Sequence, residues 1–329
     1  MNILVIFTGG TIGSVIKDGW ISTDTDTKHV LINKYRILTN DTETNFIPIT
    51  PYSILSENLS SNELNILGKC ILNNIHNNYD GIIVTHGTDT IQYTAAALSY
   101  MLQGINIPVV LVSSDFPLEK EYSNGVANFC GAVNFIKSNA GNGVYVSYKN
   151  DNEKKVNIHI GTRISSHQEM SANLYSIDNN PYAFFESNEI HINNNFKPSK
   201  TSSGIGLVEF SQYPHILMID SHPGDDYTYN LDNYDVVILS PYHSATINTE
   251  NKKLIEFCKI ANKKNIPIFL VNATEGITYE SSQIFADLNL KILPFCNKIS
   301  IYVKCWIALS QNRNIEEFIK SPIAQEFYK

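Results

Sequence analysis

Short, unbroken runs of apolar residues recur along the chain and alternate with helical patterns. The first run, residues 2–7, is NILVIF, and similar runs occupy residues 80–85, 108–114, 144–148 and 156–160. Continuous apolar runs of this length are typical of strands that are buried on both faces of a sheet. Between them, an apolar stripe follows a capping Ser60 or Ser61, and residues 91–102 and 124–137 are also helical in pattern. The alternation predicts a doubly wound, mainly parallel α/β sheet.

Residues 14–50 interrupt this regularity. They contain many polar residues and show no sustained period of either kind. Long segments of this type in compact domains are often lids or binding loops. We therefore expect a long loop directly after the first strand.

A second polar stretch divides the chain. Residues 187–204 are rich in Asn, Ser and Lys and contain few apolar residues, and beyond them short strand-like runs resume at residues 205–210, 215–219, 235–239 and 266–271. A helical pattern spans residues 248–265, and an apolar helix closes the chain at about residues 298–311. Because 329 residues exceed one ordinary core, we predict an α/β domain at 1–186, a linker at 187–204 and a smaller α/β domain at 205–329.

Composition narrows the class of protein. A hydrophobic content of 43% with 17% charged residues predicts a globular, water-soluble chain. The net charge of -8, without a basic cluster, argues against a nucleic-acid partner, and no apolar stretch reaches membrane-spanning length. The first residues predict a strand and not a signal peptide. Five scattered cysteines without a CxxC spacing indicate free thiols and a cytoplasmic location.

The candidate chemistry lies where two of the predicted strands end. Thr11 follows the first strand in the turn TGGTIG, and Thr88 and Asp89 follow a later strand in HGTDT. Parallel strands end at the same edge of a sheet, so these side chains can meet around one small ligand. A threonine hydroxyl that is activated by a base, together with backbone N–H donors worth about 3–4 kcal/mol each, suits acyl transfer from an amide. Taken alone, the first turn fits equally well a tight turn whose threonine only caps the chain.

The paired threonine turns carry a family resemblance. TGGTIGS and THGTDT, each directly after a strand, resemble the bacterial asparaginase/glutaminase family, and most closely its cytoplasmic type. The segments SSDFPLEKEYSNGVANF, SHPG and VNATEG extend the resemblance over nearly the whole chain. The resemblance implies two α/β domains and hydrolysis of a side-chain amide to the acid and ammonia. It also implies no metal or organic cofactor, and a homodimer or homotetramer.

The same resemblance gives roles to individual residues. Thr11 matches the primary nucleophile, and Thr88 matches the second catalytic threonine. Asp89 matches the carboxylate that holds the amino group of the substrate. Ser56 and Glu57, in the segment SILSENLS, match the pair that binds the amino-acid end of the substrate.

Two further matches frame the site, and two positions depart from the family. Gly10 and Gly87 match the glycines of the two substrate loops. Trp20 stands where the family has a tyrosine, and Ser166 stands where it has a catalytic lysine. Neither replacement supplies a titratable proton. His167 is the nearest candidate to replace the missing base, although adjacent side chains usually point apart.

These observations predict an asparaginase-like amidohydrolase that acts on asparagine or a related small amino-acid amide. One alternative is a catalytically impaired relative that binds an amino acid or amide as a sensor or partner. Another is a divergent amidase with a different amide substrate. The substitutions at Trp20 and Ser166 keep both alternatives open at this point.

Overall fold

A computed structural model describes residues 1–17, 20–23, 27–167, 170–273 and 279–328, without the side chains of residues 14–17, 20–23 and 27–29. The strands of this region are β1 Asn2–Phe7, β2 Ser14–Lys17, β3 Trp20–Thr23, β4 Asn45–Ile49, β5 Gly81–Thr85, β6 Pro108–Val112, β7 Gly143–Tyr148, β8 Val156–Ile160, β9 Ala183–Glu186 and β10 Glu189–Ile192. Eight of them form the larger sheet, in the order β10-β9-β8-β7-β6-β5-β1-β4.

The sheet is mixed. The neighbours β4, β1, β5, β6 and β7 are parallel, whereas β8, β9 and β10 continue the sheet in antiparallel pairs. Strands β2 and β3 form a separate antiparallel hairpin. The carboxyl ends of β1, β5 and β6 therefore lie at one edge, where the two threonine turns begin.

Helices cover both faces of this sheet. The helices of the described chain are α1 Thr27–Thr39, α2 Ser61–Asn74, α3 Ile91–Met101, α4 Gly125–Ser138, α5 Lys252–Lys263, α6 Lys298–Ser310 and α7 Ile315–Lys320. Alternate residues of β1 enter two different cores: Leu4 packs with α2 and α3, and Ile3 packs with α1 and α4. This two-sided burial explains the continuous apolar runs. The predicted doubly wound arrangement is confirmed.

Two local predictions were wrong. The long loop expected over residues 14–50 contains helix α1 and strand β4. The helix buries a narrow stripe of Leu31, Ile32 and Tyr35 among polar residues, which hides its period. Residues 205–210, predicted as a strand, form no regular element, although Val208 and Phe210 are buried.

The smaller sheet consists of β11 Ile216–Asp220, β12 Val236–Ser240, β13 Ile268–Leu270 and β14 Lys291–Ile292, all parallel. Helix α5 buries Leu254 and Cys258 against it, whereas Ile260 is 43% exposed. The closing helix α6 lies against α3 and against β11 and β12, so it packs between the two sheets. The proposed division at 187–204 stays a prediction, and strand β10 lies inside that segment.

Buried charged side chains hold the last residues of the chain against helix α6 and against the segment that follows β8. Lys304 and Glu326 form a fully buried ion pair, and Lys304 Nζ also donates to the carbonyl oxygen of Ile319 at 3.1 Å. Arg163, only 1% exposed, donates from Nε to the carbonyl oxygen of Gln325 at 2.7 Å. These contacts hold the tail against the segment that precedes Ser166.

Candidate active site at the carboxyl ends of the parallel strands

The backbones of the two predicted loops touch. Gly10 has a φ of +73°, and a Cβ built on it would lie 2.3 Å from the backbone nitrogen of Gly87 and 2.5 Å from its Cα. Only glycine combines this backbone conformation with so close an approach. Thr11 and Thr88 follow directly on these two glycines in the chain. Both are partly exposed at this edge of the sheet.

Hydrogen bonds hold the first loop in place. The hydroxyl of Thr8 donates to the carbonyl oxygen of Thr85 at 2.6 Å, which links the ends of β1 and β5. On the other side, the N–H of Gly10 donates to the carbonyl oxygen of Ile54 at 2.9 Å, and the N–H of Ile54 donates to the carbonyl oxygen of Thr8 at 3.1 Å. The segment around Ile54 therefore forms a third wall of the site, beside the loops that contain Gly10 and Gly87.

Ser56 connects that third wall to the second loop. Its side chain is 5% exposed and its hydroxyl donates to Asp89 Oδ2 at 3.3 Å. Thr90 Oγ1 donates in return to the carbonyl oxygen of Ser56 at 2.8 Å. A Cβ on Gly87 would lie 2.3 Å from Ser56 Oγ, so this glycine also leaves room for the serine. Glu57, the next residue, is exposed.

The structure therefore brings together most of the predicted set. It groups the residues of three loops at one edge of the larger sheet: Gly10, Thr11, Ser56, Glu57, Gly87, Thr88 and Asp89. Such an edge is where open α/β sheets bind ligands.

The comparison with known proteins decides the family. The family model for the N-terminal part of asparaginase matches residues 2–198. The chain belongs to the asparaginase family. It is accordingly an asparaginase-like amidohydrolase, a hydrolase that acts on amides. The family predicted from the paired threonine turns is thus confirmed.

Individual relatives of this asparaginase-family chain are distant. It is 26% identical over 252 residues to the L-asparaginase of Thermococcus kodakarensis, and the match covers 74% of each protein. It is 32% identical over 260 residues to a glutamyl-tRNA(Gln) amidotransferase component of Methanosphaera stadtmanae, and this match covers 75% of this chain and 58% of that protein.

Solved structures support the fold. The thermostable L-asparaginase of Thermococcus kodakarensis superposes with a TM-score of 0.81 at 22% identity and covers 100% of both chains. L-asparaginase I of Vibrio cholerae gives the same TM-score and identity and covers 100% of this chain and 99% of that one. The predicted fold of two α/β parts is confirmed over the full length.

Of the two departures from the family pattern, Trp20 belongs to a strand whose backbone lies beside the turn that begins at Thr11. Ser166 is exposed, and within the described residues it forms no hydrogen bond with the three loops. The backbone of Trp20 begins strand β3, and its side chain lies outside the described part of the structure.

His86 has a structural role in this asparaginase-family site. Its Nδ1 donates to the carbonyl oxygen of Gly87 at 2.8 Å, and its Nε2 accepts from the hydroxyl of Thr94 at 2.9 Å. Burial lowers the pKa of the imidazole to about 4, so the ring is neutral at neutral pH. Because both ring nitrogens form hydrogen bonds, the ring stabilises the second loop.

Two residues near the site, Gln92 and Asp115, were not identified from the sequence. Gln92 Nε2 donates to the carbonyl oxygen of Asp89 at 2.9 Å and supports the second loop. Asp115 follows β6, and its Oδ1 accepts from the N–H groups of Phe116 at 2.7 Å and Asn124 at 3.0 Å. Burial raises the pKa of the Asp115 carboxyl. The strand-end rule that selected Thr11 and Thr88 would also have selected Asp115.

The described residues contain no group of three or more His, Cys, Asp or Glu side chains that could hold a metal ion. None of the helices in this part of the chain is both long and apolar enough to cross a membrane.

Proposed function

We propose that this protein hydrolyses the side-chain amide of asparagine, or of a related small amino-acid amide, to the acid and ammonia with Thr11 as nucleophile. The observation that carries the proposal is the backbone contact of Gly10 with Gly87. The residues that follow these two glycines are Thr11 and Thr88, so the contact supports a shared site for their hydroxyls. Family membership supplies the reaction class.

The roles follow from the chemistry of each group. Thr11 Oγ1 attacks the amide carbon, and Thr88 assists the transfer of its proton. The substrate amino group binds the carboxylate of Asp89, which Ser56 orients through its hydroxyl. Glu57 adds a second exposed carboxylate at this end. A substrate that carries an ammonium group near its amide matches these two carboxylates.

The substitutions at Trp20 and Ser166 affect the expected rate. Loss of one general acid–base group typically lowers a rate by about 10²–10⁴. Loss of two such groups lowers it by about 10⁴–10⁸ when their effects multiply. Enzymes accelerate reactions by roughly 10⁶–10¹⁷ in total, so an enzyme in the middle of this range still sustains measurable hydrolysis. We therefore expect turnover that is slow but clearly above the uncatalysed rate.

The proposal extends to the setting of the enzyme. All five cysteines are free, which suits the reducing cytoplasm. Family membership favours a homodimer or homotetramer and a reaction that needs no metal or organic cofactor. Light scattering coupled to gel filtration measures the assembly directly, and a monomer at micromolar concentration would contradict the first expectation.

Ammonia release tests the reaction itself. Wild type, Thr11→Val and Thr42→Val are incubated separately with asparagine and glutamine. Valine keeps the shape of threonine but lacks its hydroxyl, and Thr42 is an exposed loop residue that serves as the matched control. We expect wild type and Thr42→Val to release ammonia and Thr11→Val to lose nearly all activity. Equal rates in all three, or an inert wild type that binds asparagine in calorimetry, would contradict the proposal.

A further inference from the structure

The backbone of Asp89 is held in the site by a side chain from helix α3. The hydrogen bonds of α3 begin one residue after Asp89, because the N–H groups of Tyr93 and Thr94 both donate to the carbonyl oxygen of Thr90. The carbonyl oxygen of Asp89 therefore lies outside this ladder. It accepts a hydrogen bond from Gln92 Nε2 at 2.9 Å instead.

This bond is the stronger of two hydrogen bonds that hold Asp89. The carboxylate of Asp89 accepts from Ser56 Oγ at 3.3 Å, and the residue is exposed. Hydroxyl donors usually approach an oxygen to 2.5–3.0 Å, so the bond from Ser56 is long and weak. The bond from Gln92 has the usual length for an N–H donor. The position of the carboxylate thus depends on the backbone that Gln92 holds.

The side chain of Gln92 is well placed to hold it. Gln92 is only 3% exposed, and it lies in the first turn of α3. Ala95 and Ser99, three and seven residues further on, share its helix face. This face packs closely: a Cβ on Gly161 would lie 2.5 Å from Ser99 Oγ and 2.9 Å from the carbonyl oxygen of Ala95. Close packing leaves the buried amide of Gln92 few alternative rotamers.

The stability of the core does not explain a glutamine at this position. Gln92 Oε1 is buried and has no hydrogen-bond partner among the residues that the structure describes. An amide oxygen that is buried without a partner lowers stability, whereas an apolar side chain of similar size carries no such cost. An apolar side chain cannot supply the N–H group that Asp89 receives. The function of that hydrogen bond accounts for the residue better than packing does.

We propose that Gln92 is a positioning residue that sets the affinity of the site for the amino group of the substrate. The inference rests on the proposed function, in which the carboxylate of Asp89 binds that amino group. Gln92 acts through the carbonyl oxygen of Asp89, from whose backbone the carboxylate extends. Its loss weakens the binding of amides that carry an ammonium group and leaves the attack by Thr11 unchanged.

The test compares Gln92→Met with Ser99→Ala in the full-length protein. Methionine keeps the length of the side chain but has no N–H donor. Ser99 is 5% exposed on the same helix face, and its hydroxyl donates to the carbonyl oxygen of Ala95 at 2.7 Å, so it controls for the loss of a buried polar group from α3. The kcat and KM for asparagine are measured by ammonia release. The inhibition constant of succinamic acid, which is asparagine without its amino group, is measured in the same assay. Thermal unfolding checks that each variant is folded.

For Gln92→Met we expect KM for asparagine to rise about 5–30-fold, the factor that corresponds to one buried hydrogen bond. We expect kcat to change by no more than a few-fold, because ground-state binding is lost and not transition-state stabilisation. The inhibition constant of succinamic acid stays at the wild-type value, since this compound has no ammonium group for Asp89 to bind. Ser99→Ala behaves as wild type in each measurement.

The conservative variant Gln92→Glu adds a pH test. A protonated carboxyl donates to the carbonyl oxygen of Asp89, whereas an ionised one cannot. Burial and the nearby carboxylate of Asp89 raise the pKa of the introduced carboxyl. Relative to wild type at the same pH, KM for asparagine in this variant therefore approaches the wild-type value as the pH falls and increases as the pH rises. In Gln92→Met the ratio to wild type stays the same at every pH.

Other outcomes separate this inference from the function on which it rests. An active wild type that loses activity in Thr11→Val, together with an unchanged KM in Gln92→Met, overturns only the role of Gln92. Equal losses of affinity for asparagine and succinamic acid also overturn it, because the effect would not then act through the amino group. The same holds if Gln92→Glu shows no recovery at low pH. A folded but inactive wild type overturns both proposals.

Discussion

Replacement of Gly10 by alanine tests the contact on which the site depends. The new Cβ would lie 2.3 Å from the nitrogen and 2.5 Å from the Cα of Gly87. Both atoms belong to backbone, so no side chain can rotate away to relieve the overlap. The two loops must separate by about 1 Å to reach ordinary van der Waals distance.

The expected magnitudes follow from this geometry. A residue with a Cβ at the positive φ of Gly10 costs about 1–2 kcal/mol, and overpacking of a tight contact costs about 1–3 kcal/mol more. We therefore expect Gly10→Ala to lower the free energy of unfolding by about 2–5 kcal/mol. A displacement of 1 Å at a catalytic group can lower the rate by about 10²-fold, so a similar loss of ammonia release is expected in the folded variant.

Gly104→Ala is the matched control. Gly104 has a φ of +88°, but a Cβ on it would meet no atom within 4 Å. Its substitution carries the backbone strain without the overlap, and full activity is expected. Urea unfolding and ammonia release are measured for both variants. If Gly10→Ala is as stable and as active as Gly104→Ala, the close approach of the two backbones does not hold the site together.

Three further predictions concern stability, measured by urea unfolding. Lys304→Met leaves Glu326 buried without its cation and should lower the free energy of unfolding by about 3–5 kcal/mol. The double variant with Glu326→Gln should lose less than the sum of the two single variants. Simple additivity of the two losses would contradict this prediction. Ser60→Ala removes the capping box at the start of α2 and should cost about 1 kcal/mol, whereas no change would show that the cap is dispensable. Because the pKa of His86 falls from 6.5 to about 4 on folding, the unfolded chain binds the proton first as the pH drops. Stability should therefore fall by up to about 3 kcal/mol between pH 6.5 and 4, and an unchanged slope in His86→Asn would refute this assignment.

Much of the fold could be predicted because a strand that is buried on both faces of a sheet has a continuous apolar sequence. Strand β5 reads GIIVT and is fully buried, and its apolar run was recognised without ambiguity. Helix α1 left a weaker trace. Its buried stripe of Leu31, Ile32 and Tyr35 is interrupted by polar residues, and Ile37 and Leu38 are exposed on the same helix. The apolar period was lost in this mixture.

The candidate site was predictable only in part. Thr11, Thr88 and Asp89 could be placed at one edge because parallel strands share their carboxyl ends. The wall formed by Ile54 could not be foreseen, because it is made by backbone hydrogen bonds that any residue can form.

The most direct test of the central claim is to trap the acyl-enzyme. Wild type mixed with asparagine is quenched in acid within milliseconds to seconds, digested with trypsin and examined by tandem mass spectrometry. We predict an added aspartyl group on the peptide that ends at Lys17, located by fragmentation on Thr11 and absent from Thr11→Val. An active enzyme that carries the acyl group on another residue would contradict the assignment of Thr11 as the nucleophile.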